Sequence, residues 1–182
     1  MKGLIMRHGG LVAALLVSTA CASLDVRSYQ VRGFEPRKYH TYAWATVDMR
    51  PTGDARLDNN RFFDERVRRA VDAELARSGF EPQTRADRAD LLVHYHASMT
   101  EQIDVSHVDG DYSVAHREET SVTVFEAGTL LVDLVDAQTN VLVWRGWAEG
   151  SFEGVIDNQA ALEKRIDDSI ARIMRPLRPE VP

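Results

Sequence analysis

The sequence predicts an α+β domain, with a mostly antiparallel sheet of about five strands and two helices packed on one face of that sheet. Two observations support this prediction. Several short runs are β-rich or alternate between apolar and polar residues, and two longer segments repeat apolar residues at helical spacing. The order along the chain is strand, helix, four strands and helix. Because each helix has a single apolar face, we expect both to cover the same side of the sheet.

The N-terminal half is predicted to supply a strand, a helix and a second strand. Residues 24–36 show little periodicity and are typical of either a tether or a first edge strand, whereas Thr41–Thr46 predicts a strand. Apolar spacing predicts a helix over residues 58–78, which begins at one of three consecutive Asp and Asn residues and ends at Gly79. Alternation over Leu91–Met99 then predicts a strand with one apolar face.

A polar segment, residues 101–118, follows that strand and predicts a long mobile loop or a loose hairpin. The β-branched run Thr120–Phe125 predicts the next strand. Ala127 and Gly128 then indicate a turn or a bulge, because glycine weakens a continuous strand. The sequence therefore predicts a break before the strand that begins at Gly128.

Residues 128–150 are predicted to form a β-hairpin around the loop Asp136–Asn140. We expect Trp144 to fill the core between sheet and helices, because a large aromatic ring gains most from burial. In an even pairing register, one face of the hairpin carries Leu130, Val132, Leu134, Leu142 and Trp144, and the other carries Asp133, Val143, Arg145 and Trp147.

The last element is predicted to be an amphipathic helix. Asp157 or Asn158 is suited to cap its N-terminus, and Pro176 ends it. Its apolar stripe consists of Leu162, Ile166, Ile170 and Ile173.

The first 20 residues have the pattern of an export signal. Lys2 and Arg7 give a short positive region, and the apolar run of residues 11–17 is too short to span a bilayer of about 30 Å. No later segment approaches membrane-spanning length. The predicted organisation is a signal peptide at residues 1–20, a lipidated N-terminus and tether at 21–38, a single domain at 39–176 and a tail at 177–182.

Cys21 is the only cysteine in the chain, so it has no partner for an intramolecular disulfide. Thr19, Ala20 and Cys21 fit the last three positions of a bacterial lipobox, and Ser18 stands where that motif prefers Leu or Val. We expect Cys21 to carry a lipid anchor, because each buried acyl methylene contributes about 0.8 kcal/mol to membrane binding. Ala22 indicates an outer-membrane location facing the periplasm. The alternative is ordinary signal-peptide cleavage, which gives a soluble periplasmic or secreted protein.

The chain carries 28 acidic residues against 22 Lys and Arg residues, a formal net charge of −6. This charge repels phosphates, so we expect no nucleic-acid binding and no attraction to an anionic membrane through charge alone. The sequence also lacks a nucleophile elbow, a Walker loop and a dinucleotide fingerprint. We therefore expect neither catalysis nor a cofactor.

His94 and His96 are the clearest candidates for metal ligands. Alternate residues of a strand point the same way, so both imidazoles can reach one ion. The alternative, which the polar pattern of this strand face favours, is that both are solvated. Further ligands for a metal would come from the loop residues His107, Asp109, Asp111 and His116.

Arg145 and Trp147 leave two alternatives open. In the first, which we favour, Arg145 pairs with Asp133 across the hairpin and has a structural role. In the second, Arg145 and Trp147 face outward and contact a partner, since Trp and Arg are enriched among the residues that dominate binding.

The segment "GTLLVDLVDAQTNVLVWRGWAEG" (residues 128–150) resembles the signature of bacterial lipoproteins called domain of unknown function 4136. The "YAW" motif at residues 42–44, "RSGF" at 77–80, "ADLLVHYH" at 89–96 and the closing helix match the usual order of that family. The resemblance covers about residues 21–176. It implies an α/β domain on a lipidated N-terminus in a Gram-negative envelope, and it implies no established activity or catalytic residue.

Together these features predict a lipid-anchored, non-enzymatic binding or assembly module at the outer membrane, with an unidentified envelope protein as its partner. Two alternatives are a periplasmic carrier, which would hold a small apolar ligand between sheet and helices, and a metal-binding protein that uses His94 and His96.

Overall fold

The computed structural model describes residues 24–45, 51–58, 60–104, 123–152 and 154–179. This part of the chain forms one mixed sheet and two α-helices that contact each other. The six strands lie in the order β1-β6-β5-β4-β2-β3. The elements are β1 (Asp25–Gln30), β2 (Thr41–Trp44), α1 (Arg61–Arg77), β3 (Glu81–Pro82), β4 (Leu91–Asp104), β5 (Thr123–Asp136), β6 (Val141–Ser151) and α2 (Gln159–Ile173).

The α+β class is confirmed, with both helices on one face, but the sheet is mixed and differs in detail from the prediction. β2 pairs in parallel with both β3 and β4. α1 returns the chain to the end of the sheet where β3 begins, and residues 83–90 then lead from β3 to the start of β4 on the other side of β2. The other neighbouring strands are antiparallel. β1 and β3 form the two edges; β3 has only two residues, too few for any recognisable pattern.

β5 runs without interruption through Ala127 and Gly128, so the predicted break there is wrong. Gly128 pairs with Gly150 of β6 and with Met99 of β4. A Cβ atom at this position would lie 2.7 Å from Met99 Sδ and 2.7 Å from the Phe152 ring. The glycine therefore serves close packing rather than a turn.

The face assignment of the hairpin is correct except at a bulge. Leu134 pairs with Trp144 and Val135 with Leu142, which leaves Val143 as an extra residue. Val143 and Trp144 are both in the core, 5% and 1% exposed respectively. Leu142 consequently shares the side of Val135, opposite to the predicted one, because the bulge shifts the alternation by one residue.

Both helices begin and end as the sequence predicts, within a few residues. The side chain of Asn60 caps α1 by accepting a hydrogen bond from the Phe63 amide at 3.2 Å, and Asn158 caps α2 in the same way. Gly79 follows α1 with a φ of 89°, which suits a helix end. The buried core contains Val67, Val71 and Leu75 of α1, together with Ile166, Ile170 and Ile173 of α2.

Polar contacts hold α1 against the sheet at the "YAW" motif. Asp72 Oδ1 accepts hydrogen bonds from Tyr42 Oη at 2.8 Å and from Trp44 Nε1 at 2.9 Å. Asp64 accepts one from Tyr95 Oη at 2.8 Å. Burial and these carboxylates raise the pKa values of Tyr42 and Tyr95 well above the ordinary tyrosine value. The motif therefore fixes the helix position.

The ends of the described chain contribute to the packed domain. β1 lies within the segment 21–38 and pairs with β6. Leu177 is 4% exposed, and Arg178 donates to Glu74 Oε2 at 2.6 Å. Glu74 is itself 3% exposed and also binds Arg77. Sheet and C-terminal contacts thus extend beyond residues 39–176 on both sides.

β4 continues to Asp104, so the first residues of the predicted loop 101–118 belong to a strand. The remainder of that loop lies outside the described residues, as do Cys21 and the predicted signal peptide. None of the helices within the described ranges combines the length and apolar character needed to cross a membrane.

Candidate functional site

The candidate site is the side of the sheet that carries no helix in the described chain, which we call the open face. Its residues follow from the strand register, since alternate residues of paired strands share a side. Three adjacent rows cross four strands: Tyr29, Arg145, Asp133 and His94; then Arg27, Trp147, Leu131 and His96; then Asp25, Glu149, Thr129 and Ser98.

An ion pair lies at the centre of the first row. Arg145 Nε and Nη2 donate to the two carboxylate oxygens of Asp133, each at 2.7 Å. The Asp133 side chain is 8% exposed and that of Arg145 is 40% exposed. Hydrogen bonding to Asp133 raises the pKa of Arg145 above its ordinary value. The structural pairing predicted for these residues is therefore present, and the guanidinium also remains accessible.

Trp147 and Leu131 form an apolar centre in the second row. The two residues face each other across β6 and β5, and both are half-buried. Tyr29, in the first row, is 55% exposed. Half-exposed aromatic residues beside an arginine are typical of surfaces that bind partners. The open face brings together the two predicted partner-binding residues, Arg145 and Trp147.

Tyr29, Arg27 and Leu131 were not predicted as site residues. Tyr29 and Arg27 belong to β1, whose sequence lacks clear alternation and fitted a tether equally well. Leu131 alternates with the buried Leu130 and Val132, and this alternation was the available signal that it faces the open side.

His94 and His96 lie on the open face, as a strand at this position predicts. His94 is half-buried, and this burial lowers its pKa below the ordinary value of 6.5, while the negative charge of Asp133 opposes the shift. Across the ranges that the structure covers, no group of three His, Cys, Asp or Glu residues is close enough to hold a metal ion. The candidate loop ligands, namely His107, Asp109, Asp111 and His116, lie outside the described residues.

Two cavities bear on ligand binding. A groove of about 520 Å³ lies beside β4; its lining includes His96 and Arg145 of the open face, Phe63 of α1 and Tyr95 of the covered face. Between the sheet and α2, near Phe152 and Ile166, the space is only about 10 Å³. That volume is about the minimum for one water molecule. The arrangement offers polar and aromatic contacts on the outside rather than an internal chamber at this position.

Comparison with known proteins identifies a family but no activity. The family model described as "Domain of unknown function (DUF4136)" matches residues 26–176. No curated protein matches the chain at a significant level.

Solved structures share the fold at low sequence identity. A PDZ domain protein from Parabacteroides distasonis is 12% identical, with a TM-score of 0.52 over 87% of this chain, which spans only 37% of that protein. The PelC dodecamer from Paraburkholderia phytofirmans is 12% identical, with a TM-score of 0.50 over 87% of this chain and 100% of that one. A DUF4136 family protein from Bacteroides thetaiotaomicron is 10% identical, with a TM-score of 0.48 over 85% of this chain and 96% of that one. Since the family model covers residues 26–176, the chain belongs to the DUF4136 family.

Proposed function

We propose that the protein is a lipid-anchored lipoprotein of the outer membrane that acts, without catalysis, as an assembly module whose open face docks a second copy of the chain. The observation that carries the proposal is the half-buried Trp147 and Leu131 beside the fixed Arg145–Asp133 pair. Apolar area of this kind is stabilised by removal from water, and the oriented guanidinium adds specificity.

The order of charges on the open face supports a second copy as the occupant. Arg145 lies in the first row, Trp147 in the second, and Asp25 and Glu149 lie in the third. A two-fold axis that runs across the strands at the middle row would bring Arg145 of each copy against the row of Asp25 and Glu149 of the other. Self-complementarity of this type is what a closed dimer interface requires.

Two further observations support assembly over transport of a ligand. PelC, a protein with a similar fold, is described as a dodecamer, so this fold is compatible with self-assembly. A carrier that encloses its ligand between the sheet and α2 would need several hundred Å³, and the space described there is about 10 Å³. Metal binding is less favoured, because both Asp133 oxygens are engaged by Arg145.

A photo-crosslinking amino acid at position 147, installed in the full-length protein in cells, tests the docking surface. We expect an adduct with twice the mass of the chain. The control places the same group at Phe62, which is 76% exposed on α1. An adduct with a different envelope protein at position 147 would contradict the second copy while retaining a binding role. Absence of any adduct specific to position 147 would overturn both.

Mass spectrometry of the N-terminal peptide tests the anchor. We expect acyl chains on Cys21, and processing that is blocked by globomycin, because lipoprotein maturation requires the peptidase that this antibiotic inhibits. The Cys21→Ser variant should leave the membrane fraction. A mature chain that begins beyond position 21 would rule out the anchor.

A further inference from the structure

A basic patch lies at the edge of the sheet, next to the start of the domain. It borders a shallow cleft of about 280 Å³ between β1 and the C-terminal end of α2. Arg172 and Arg175 are exposed there, and within the part of the chain that the structure covers neither forms an ion pair. The cleft is lined by Val26, Arg27, Ser28, Arg172, Ile173, Arg175 and Pro176.

Chain geometry ties this patch to the proposed anchor. β1 begins at Asp25, four residues after Cys21. A fully extended chain spans at most about 3.6 Å per residue, so the Cα of Asp25 lies within about 14 Å of the Cα of Cys21, which carries the lipid. Val26 and Ser28 follow directly and line the cleft. A lipid on Cys21 therefore holds this edge of the domain, rather than the β3 edge, close to the leaflet.

Local charge at this edge opposes the overall charge of the protein. The chain has a formal net charge of −6, yet Arg172 and Arg175, which form no ion pair among the described residues, line the cleft beside β1. Arg27 adds a third, although Asp25 binds it at 2.6 Å and Glu149 lies beside Asp25, so these acids offset part of its charge. Salt screens charges beyond about 8–10 Å, so an anionic leaflet senses the nearby patch more than the distant acidic surface.

We propose that Arg172 and Arg175 dock the domain onto the phosphate groups of the anionic leaflet, with the β1 edge facing the membrane. This inference rests on the proposed acylation of Cys21. Val26 and Pro176 are apolar and line the same cleft as the arginines, where they can contact the leaflet interface. The lipid provides attachment, and the arginines fix the orientation, because an acyl anchor alone leaves the domain free to rotate.

The test uses the full lipoprotein, purified in detergent and reconstituted into vesicles of phosphatidylethanolamine and phosphatidylglycerol. Because the chain has a single cysteine, Ser28→Cys gives one free thiol for a fluorophore once Cys21 is acylated. We expect spin-labelled lipid headgroups to quench this fluorophore strongly. The matched probe is Thr84→Cys, which is exposed beside β3 at the opposite edge and should remain bright.

Reversing the charge of Arg172 and Arg175 tests their contribution to docking separately from that of the lipid. Each arginine near an anionic surface strengthens association by about fivefold, so R172E/R175E should lower the docking equilibrium constant by at least about 25-fold and restore emission at position 28. R37E/R88E removes the same charge from exposed positions outside the patch and should leave quenching unchanged. Vesicles of phosphatidylcholine alone should resemble the reversed variant.

The outcomes separate this inference from the anchor. Mass spectrometry of the same preparation shows whether Cys21 is acylated. If it is not, the Cys21→Ser variant is labelled at position 28 and tested for quenching with the same vesicles. Quenching that depends on Arg172 and Arg175 supports the patch in either state. Acylated protein with equal quenching at positions 28 and 84, or with quenching insensitive to R172E/R175E, would overturn the orientation while the anchor stands.

Discussion

The two faces of the sheet use similar residue types for different purposes. Trp144 and Trp147 lie three residues apart on β6, yet Trp144 is 1% exposed beneath the helices whereas Trp147 is half-buried on the open face. Gly146 lies between them and leaves room for this packing. A Cβ atom there would meet Trp144 and lie 2.7 Å from Ile173 Cγ2. The most recognisable residues of the family motif thus serve packing, and binding has to be sought on the other side.

The largest expected contrast between the faces comes from the two tryptophans. Trp144→Ala should lower the free energy of unfolding by about 3–5 kcal/mol, because it leaves a cavity in the core. Trp147→Ala should cost less than about 1.5 kcal/mol, since the indole remains partly in water. Urea denaturation followed by circular dichroism measures both. Equal losses would mean that the open face is as much a part of the core as the covered face.

Gly146→Ala tests close packing on the covered face. The added methyl should destabilise the protein by about 1–3 kcal/mol, because the indole of Trp144 and the branched side chain of Ile173 leave no space for it. Ile173→Ala removes the Cγ2 atom that the added methyl would meet, so the double variant should be more stable than the sum of the two single losses. The same denaturation assay gives the coupling; strict additivity would contradict the contact.

The Asp133–Arg145 pair provides a test on the open face. Arg145→Leu should cost about 1–2 kcal/mol, because it leaves the buried Asp133 carboxylate without its donor, and the 40% exposure of Arg145 limits the effect. Asp133→Leu/Arg145→Leu removes both charges and should be closer to wild type. A double-mutant cycle measures this, and a double variant as unstable as the sum of the singles would contradict it.

Asp90 lies at the junction of β2 and β4, and its carboxylate should contribute folding stability that is lost in acid. Its carboxylate accepts backbone hydrogen bonds from His40 at 2.8 Å and Thr41 at 2.9 Å, and these lower its pKa below 3.8. A depressed pKa stabilises the fold above pH 3.8, and this gain is lost as pH falls through the folded-state value. The stability difference between wild type and Asp90→Asn should therefore shrink below pH 3.8, as measured by denaturation across that range.

The smallest effect is expected from His94 on the open face. Burial lowers its pKa below 6.5, so the folded state prefers the neutral imidazole. The contribution of the neutral His94 to folding stability is complete above pH 6.5 and is lost as pH falls through the folded-state pKa. His94→Gln should flatten this part of the stability profile between pH 7 and pH 5. A profile identical to wild type would contradict the shift.

Local patterns predicted the helices and the covered face better than they predicted the sheet. The caps at Asn60 and Asn158 and the apolar stripe of α2 depend on neighbours within one or two turns, which the sequence displays directly. The continuity of β5 depends on Phe152 and Met99, which approach Gly128 from other parts of the fold. The bulge at Val143 likewise requires the partner strand to be known.

The candidate site was predictable only in part for the same reason. Arg145, Trp147, His94 and His96 could be assigned to strand faces from their own alternation. Tyr29 and Arg27 join them because β1 pairs with β6, more than 100 residues later in the chain. A pairing over this separation leaves no local signal in six residues, and the parallel position of β2 beside β4 is set equally by long-range contacts.

β1 pairs with β6, and Arg178 binds the buried Glu74. Both contacts join early and late parts of the chain, which affects the order in which the protein can fold. A polypeptide that emerges from its N-terminus cannot complete this fold early, because the partners of β1 and Glu74 lie much later in the chain. The segment with β1 and Glu74 therefore remains without these partners until β6 and Arg178 have been made.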